Sequence, residues 1–293
     1  MPEGVEIYLT AIWLNDLTKN HILTKLKTIR GKYTRKHIKN DPKHYNLDII
    51  GVKNKGKLLY FEFVDENKNP LWLLVNFGLQ GTFKLTKSKY TNQIFTIKNK
   101  NNNNTFDLYF DDLISYGTFR FVNTQHEFDK ILNKLAPDFL QTDIDKKHFE
   151  AVLDKNKHKK IVVLLMDQTK LGSGIGNYLV SEILYDAKLN PNRTASSLSN
   201  KDIDNLIYSI QYVIKLAYQT ENIGYIENFD PAHLKYIKKY RKTNHHILPN
   251  IKLNKNDETI FKVYKQKEDP NGNPIIKESI IPGRLTYYSP IQK

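Results

Sequence analysis

Leu171-Gly172-Ser173-Gly174-Ile175-Gly176-Asn177 stands between two apolar stretches, Ile161-Val162-Val163-Leu164-Leu165-Met166 before it and Tyr178 to Ala187 after it. Leu179, Ile183, Leu184 and Ala187 fall on one helical face. The glycine run is not a dinucleotide fingerprint. Its spacing departs from GxGxxG, and it joins helical segments instead of following a strand. Two readings stay open. A glycine-rich turn exposes backbone N–H groups at the next helix N-terminus, where Asn177 adds an amide, and such a site suits a nucleic-acid phosphate. The same turn also makes a close-packed helix corner with no ligand.

Working outward, the helical period holds over Phe128 to Leu135, breaks at Pro137-Asp138, and resumes at Lys147 to Leu153. Leu198-Ser199 to Gln219 predicts a long amphipathic helix capped by Ser199, with Asp202 at its third position. Residues 125–249 therefore form a helical domain. Upstream, Val5 to Leu17 predicts an amphipathic helix with Val5, Leu9, Ile12 and Trp13 on one stripe. Strands are expected at His21 to Arg30, Leu58 to Val64, Leu71 to Val75, Thr82 to Leu85, Ile94 to Lys98, Thr105 to Phe110 and Thr118 to Val122. One helix with seven or more strands implies a two-layer β-sandwich over residues 1–124, with the helix on an edge. Residues 250–293 regain strand character at Ile260 to Tyr264, and Asn271-Gly272 suits a two-residue hairpin turn. The fold class is α+β.

The 293 residues carry 45 Lys+Arg against 31 Asp+Glu, a formal net charge of +14. That excess favours a polyanionic partner, nucleic acid or anionic membrane. No apolar stretch is long enough to span a bilayer, and no signal-peptide h-region follows the N-terminus. Cysteine is absent, which excludes disulfides, a catalytic thiol and a cysteine-based zinc site. His245-His246 reads as a polar loop pair, not a metal site. Asn99 to Asn104 is a low-complexity loop, so part of the basic charge reflects composition and not a binding face.

The N-terminus, Met1-Pro2-Glu3-Gly4-Val5-Glu6, carries chemistry of its own. Removal of Met1 before a small Pro2 exposes a secondary amine, a nucleophile with a reference pKa of about 8. Glu3 adjoins it, and Glu6 lies one helical turn on. Pro before a helix and a carboxylate in its first turn are equally ordinary capping.

Taken together, these segments resemble the formamidopyrimidine-DNA glycosylase/endonuclease VIII family of base-excision repair enzymes, most of all its eukaryotic endonuclease VIII-like branch. Pro2-Glu3-Gly4-Val5-Glu6 resembles the family's PEGPE start, and Gly56-Lys57-Leu58-Leu59 resembles the segment with its conserved lysine. Leu165-Met166-Asp167-Gln168, Gly174-Ile175-Gly176-Asn177-Tyr178 and Glu182-Ile183-Leu184-Tyr185 resemble its helix-two-turn-helix core. Gly283-Arg284-Leu285-Thr286-Tyr287-Tyr288 resembles the second strand of its C-terminal finger. The matches run in order over nearly the whole chain.

Three departures matter. Ser289-Pro290-Ile291-Gln292 stands where the zinc form reads Cys-Pro-x-Cys-Gln, so the finger resembles the zincless finger of part of the family. Asn76-Phe77-Gly78-Leu79-Gln80-Gly81 replaces the context of the family's void-filling methionine, leaving Leu79 as the wedge. Asp112-Leu113-Ile114-Ser115-Tyr116-Gly117 places Ile114 at the intercalating arginine and Tyr116 at the phenylalanine. An isoleucine has no donor for the orphan base, so weak opposite-base selectivity and tolerance of single-stranded substrate are expected. Val5 in place of Pro is a minor change.

The resemblance implies a glycosylase and abasic-site lyase that acts through an iminium on Pro2, with β,δ-elimination. Glu3 would move protons, Glu6 would hold the site, and Lys57 would bind a phosphate beside the lesion. Lys53, Lys55 and Lys57 also read as a solvated basic turn in their own right. Asn177 and Arg284 would grip phosphates. No metal and no cofactor is implied. The expected partner is double-stranded, and also single-stranded, DNA carrying oxidised bases, mainly pyrimidines and hydantoins, or abasic sites. A monomer that works wherever that DNA lies, in nucleus or cytoplasm and not secreted, is expected. A damage-binding protein without catalysis, an RNA-associated basic protein and a phosphate-cofactor enzyme are the rival readings.

Overall fold

The computed structural model describes residues 1–220, 225–243, 251–253, 257 and 261–293. His245-His246, Ile260 and the expected boundary at 249/250 lie outside the described residues. Helix α1 spans Gly4–Leu17, and strands β1 (His21–Thr28), β2 (Leu47–Lys55), β3 (Leu58–Val64) and β4 (Pro70–Asn76) follow. Next come β5 (Thr82–Lys84), β6 (Thr91–Asn99), β7 (Thr105–Asp111) and β8 (Thr118–Val122). The helices after them are α2 (Gln125–Leu132), α3 (Lys146–Lys155), α4 (Ile161–Met166), α5 (Asn177–Asp186), α6 (Asn200–Gln219) and α7 (Pro231–Thr243). Strands β9 (Ile276–Ile281) and β10 (Arg284–Tyr288) complete the order. The chain divides into two compact units. The first holds Met1–Pro2, Glu6–Lys134 and Tyr225–Thr243; the second holds Glu3–Val5, Leu135–Gly224 and Asn244–Lys293.

In the first unit an antiparallel sheet runs β5-β7-β6-β1-β2-β3-β4-β8. Strands β1 and β2 share only the pairs Ile22 with Asp48 and Leu23 with Leu47. The sheet folds there into the two layers expected from the sequence. Alternating side chains from both layers meet in an aromatic core. Phe61 of β3 lies 5.8 Å from Phe95 of β6, and Phe119 of β8 meets Phe110 of β7 edge-on at 5.0 Å. Such pairs add about 0.5–1.5 kcal/mol each beyond their burial.

Two expectations need correction. Strand β2 has no counterpart in the sequence reading, because its alternation breaks at a bulge between Ile49 and Gly51. Ile50 points to solvent while Val52 is buried, so no period of two survives. The bulge is held by the Asn15 side chain of α1, which accepts the Val52 N–H at 2.9 Å. Nor is α1 an amphipathic edge helix. Val5, Ile7, Leu9, Ala11, Trp13 and Leu14 are buried, as are Glu6 and Thr10, and exposure is confined to Asn15 and Asp16. A helix covered on nearly all sides has no polar stripe to read.

Segment 225–243, although read along the chain within the helical stretch, belongs to the first unit. Asp230 anchors it by accepting the N–H of Leu85 at 2.9 Å and that of Ala232 at 2.8 Å. His233 stacks on Trp13 of α1 at 4.5 Å and hydrogen-bonds the Leu9 carbonyl at 3.0 Å. Burial pushes its imidazole down to about 3, against the opposing pull of that carbonyl. The imidazole is therefore neutral when folded and protonates near 6.5 when unfolded. Its contribution to stability is complete above pH 6.5 and is lost as pH falls toward 3, with a limiting slope of about 1.4 kcal/mol per pH unit. His233→Phe, which keeps the ring and removes the titration, is expected to flatten stability between pH 6.5 and 4.5 in denaturant titrations. An unchanged pH dependence would refute this account.

In the second unit, α5 is buried along most of its length, and α6 starts at a capping box between Ser199 and Asp202, as its sequence predicts. The hairpin differs from expectation. Its strands are β9 and β10, paired antiparallel around a turn at Pro282-Gly283, where Gly283 has φ +73°. Asn271-Gly272 instead forms a turn folded on Asp269, whose carboxylate accepts the N–H groups of Asn271 and Asn273, each at 2.9 Å. Phe261 to Tyr264 adopt no strand, because their N–H groups from Lys262 onward are taken by Glu182 and not by a neighbouring strand.

Candidate active site

The residue after Pro2 is held by the second unit. Glu3 is 1% exposed. One carboxylate oxygen accepts the N–H of Gly176 at 2.8 Å and of Leu179 at 3.2 Å, and the other accepts that of Tyr178 at 2.9 Å. Those donors are the unpaired N–H groups at the start of α5, where a charged carboxylate is favoured by the helix dipole. Gly4 donates its N–H to the Gly174 carbonyl at 2.8 Å. A Cβ at position 4 would stand 2.7 Å from the Gly174 Cα, so only glycine fits there. Gln168 holds the turn from within, accepting the Gly174 N–H and donating to the Ile175 carbonyl. The N–H groups read from sequence as a phosphate clamp are therefore already filled by Glu3. Asn177, the first residue of α5, donates its amide to the Leu285 carbonyl at 2.9 Å. Arg284, adjoining Leu285, is exposed at the start of β10.

A tyrosine to which the sequence reading gave no role in the site joins these groups within the second unit. Tyr264 is raised above its ordinary pKa by burial and by the charge of Glu3. It lies edge-on to Tyr287 at 5.1 Å. Its place is set by Glu182, which is buried on α5 and accepts the N–H groups of Lys262, Val263 and Tyr264 at 2.8, 3.0 and 2.7 Å. Burial pushes the Glu182 carboxyl up to about 7, although these three bonds favour its charged form.

In the first unit, Pro2 and Glu6 are buried. The Pro2 nitrogen is acylated by Met1 in the chain as it stands. Tyr225 is 4% exposed, and its hydroxyl has no hydrogen-bond partner among the described residues. Burial, then the charges of Asp112 and Glu6, push it well above the ordinary phenol range. A buried hydroxyl costs free energy until water or another polar group completes its bonding. No local pattern announces it, since Tyr225 belongs to no periodic element in the sequence.

The two loops that carry the three void-filling candidates are neighbours. Leu79, between β4 and β5, is 42% exposed, and Leu113, Ile114 and Tyr116, between β7 and β8, are exposed at 46%, 37% and 64%. The loops abut at Gly78, φ +61°, where a Cβ would stand 2.8 Å from the Tyr116 carbonyl carbon. Asp112 accepts the Gly117 N–H at 2.6 Å, and Arg30 donates to the Leu113 carbonyl at 3.1 Å, so the second loop is braced by its own hydrogen bonds. Exposed apolar side chains held on rigid loops are suited to base faces.

Lys57 follows Gly56 in the β2–β3 turn and is half-buried. The neighbouring lysines lie in β2 and not in the turn, Lys53 exposed and Lys55 half-buried. Lys53 lies in β2 and pairs with Glu62 at 2.7 Å, and Lys55 donates to the Leu132 carbonyl at 2.9 Å. Among the described residues no group of three or more His, Asp or Glu is placed to hold a metal ion.

Family profiles match three consecutive parts of the chain. The formamidopyrimidine-DNA glycosylase N-terminal domain covers residues 1–126, its H2TH domain 135–228, and its C-terminal domain 249–293. The chain is 30% identical over 225 residues to the formamidopyrimidine-DNA glycosylase of Ureaplasma parvum, covering 74% of this chain and 78% of that one. With that of Carboxydothermus hydrogenoformans it shares 26% over 220 residues, 73% and 70% of the two chains. A crystal structure of Lactococcus lactis Fpg with DNA containing an oxidised pyrimidine superposes with a TM-score of 0.74 at 20% identity, over 100% of this chain and 99% of that one.

Proposed function

The chain belongs to the formamidopyrimidine-DNA glycosylase family, and from that premise we propose that it is a bifunctional glycosylase and abasic-site lyase that uses the Pro2 amine. The observation that carries the proposal is the anchorage of Glu3, a buried carboxylate held by three main-chain N–H groups directly beside Pro2. Once Met1 is removed, the Pro2 nitrogen forms a bond to C1′ while the glycosidic bond breaks and the base leaves with its electron pair. The ammonium so formed gives its N–H proton to Glu3, the freed nitrogen lone pair opens the sugar ring, and Glu3 passes that proton to O4′, while the departed base takes a proton from water. The resulting iminium is a cation that acidifies the C2′ proton. Loss of that proton expels the 3′ phosphate, and loss of a second expels the 5′ phosphate.

Lys57, Arg284 and the amide of Asn177 bind backbone phosphates in this reading. Leu79, Ile114 and Tyr116 fill the gap left by the everted base, and Glu6 with Tyr225 faces that base. The substrates are oxidised pyrimidines and hydantoins in double- or single-stranded DNA, handled by a monomer wherever DNA is found. The cysteine-free finger supports the zincless reading. Ser289, 0% exposed, donates to Asp269 at 2.7 Å, and Gln292 accepts the Ser289 N–H at 2.7 Å.

Borohydride trapping on an oligonucleotide with one thymine glycol tests the proposal. A covalent complex that requires a free Pro2 amine is expected; no adduct on any oxidised base would overturn it. Ile114→Arg is expected to restore donors to the orphan base, sharpening opposite-base discrimination about tenfold or more. Single-turnover rates opposite each base, and on single strands, measure it. Unchanged ratios would remove the role given to position 114.

A further inference from the structure

Helix α7 presents a basic face in the first unit. Its sequence, PAHLKYIKKYRKT, contains no Asp or Glu. His233 and Ile237 are buried, and Tyr236 packs against the core. Lys235, Lys238, Lys239 and Lys242 are exposed. Their spacing of three, four and seven residues puts all four on one helical face, opposite the anchored one. The helix is fixed to α1 by the His233 stack on Trp13 and the bond to the Leu9 carbonyl. The acid that precedes it, Asp230, is engaged with the Leu85 and Ala232 N–H groups.

We propose that this lysine face is a second DNA-backbone contact, taking phosphates of duplex outside the lesion. The inference rests on the function proposed above and extends it to a surface that has no part in the chemistry. Lys235 to Lys242 cover about 10 Å of helix. One strand of duplex presents a charge about every 3.4 Å along its axis, so the stripe matches about three successive phosphates. Lysine suits such a contact because it acts as a point charge and reads no base. The neutral, buried His233 keeps the stripe at a fixed orientation on α1. A patch on a mobile tail would have to be ordered on binding.

The test is the salt dependence of binding to a duplex of about 30 base pairs that carries a stable abasic-site analogue. In the variant K235Q/K238Q/K239Q/K242Q, the slope of log affinity against log salt is expected to shrink by about 3. A control with equal charge loss at exposed positions elsewhere, K19Q/K25Q/K27Q/K130Q, is expected to shift it by less than about 1. Circular dichroism checks that both variants fold. Equal shifts in the two variants would overturn the proposal, because net charge alone would explain them. Binding of the unsubstituted protein to anionic vesicles that the four α7 substitutions abolish, with an unchanged DNA slope, would assign the face to a membrane instead. If the unsubstituted protein bound no lesion duplex and gave no borohydride adduct, the proposed function itself would fail. An adduct with an unchanged slope in the α7 variant would sink this inference alone.

Discussion

Glu3→Ala is expected to lower the melting temperature by about 6–10 °C and to reduce base release by about 10²–10⁴-fold. The stability loss comes from the three N–H groups of Gly176, Tyr178 and Leu179, which lose their acceptor at a buried helix start. Each unsatisfied donor costs about 1–3 kcal/mol, less where water enters. Glu3→Gln separates the two roles. It keeps one carbonyl oxygen for the helix but turns an amide NH₂ toward donors, so it should recover part of the stability and none of the proton transfer. Thermal denaturation together with single-turnover base release distinguishes the outcomes. If the glutamine variant released base at the parent rate, Glu3 would be a cap alone. If the alanine variant melted at the parent temperature, the cap would carry no weight.

Blocking Pro2 has the larger effect on chemistry. A chain that retains Met1 holds the Pro2 nitrogen as an amide, whose lone pair is delocalised into the carbonyl. Base release and strand cleavage should both fall by at least about 10³-fold, as on loss of a catalytic nucleophile. Pro2→Ala with Met1 removed leaves a primary amine. Its imine carries a positive charge only after protonation, whereas the proline iminium is charged at once. This variant should keep a weak borohydride adduct with slower elimination. Intact-mass measurement fixes the N-terminus of each sample. Full activity from chains that retain Met1 would exclude Pro2 as the nucleophile.

The parts of the fold that were legible in advance are those whose signal is local. The capping box of Ser199 and Asp202 and the strands from Leu58 to Val64 and from Thr118 to Val122 declare themselves within a few residues. The motif order from Pro2 to Arg284 identified the family. Strand β2 was missed because a single bulge residue inverts its alternation. The hairpin turn was misplaced because Asn271-Gly272 satisfies any turn, and Asp269 made it one that no strand flanks.

What the sequence by itself determined was the kind of protein: an α+β chain with a glycine-rich helix corner, no cysteine and the ordered motifs of its family. Only the tertiary structure decided what the carboxylates do. Glu3 binds N–H groups 173 to 176 positions away, and Glu182 binds others 80 to 82 positions away. Three N–H groups of the glycine-rich corner and the following helix bind Glu3 from within the fold. The docking of segment 225–243 on α1 likewise left the Tyr225 hydroxyl buried, with no partner among the described residues and within the influence of the Asp112 and Glu6 charges. Hydrophobic period and capping act over one helical turn or one strand pair. A buried acceptor must find its donors wherever folding brings them, so no local pattern in the chain encodes the match.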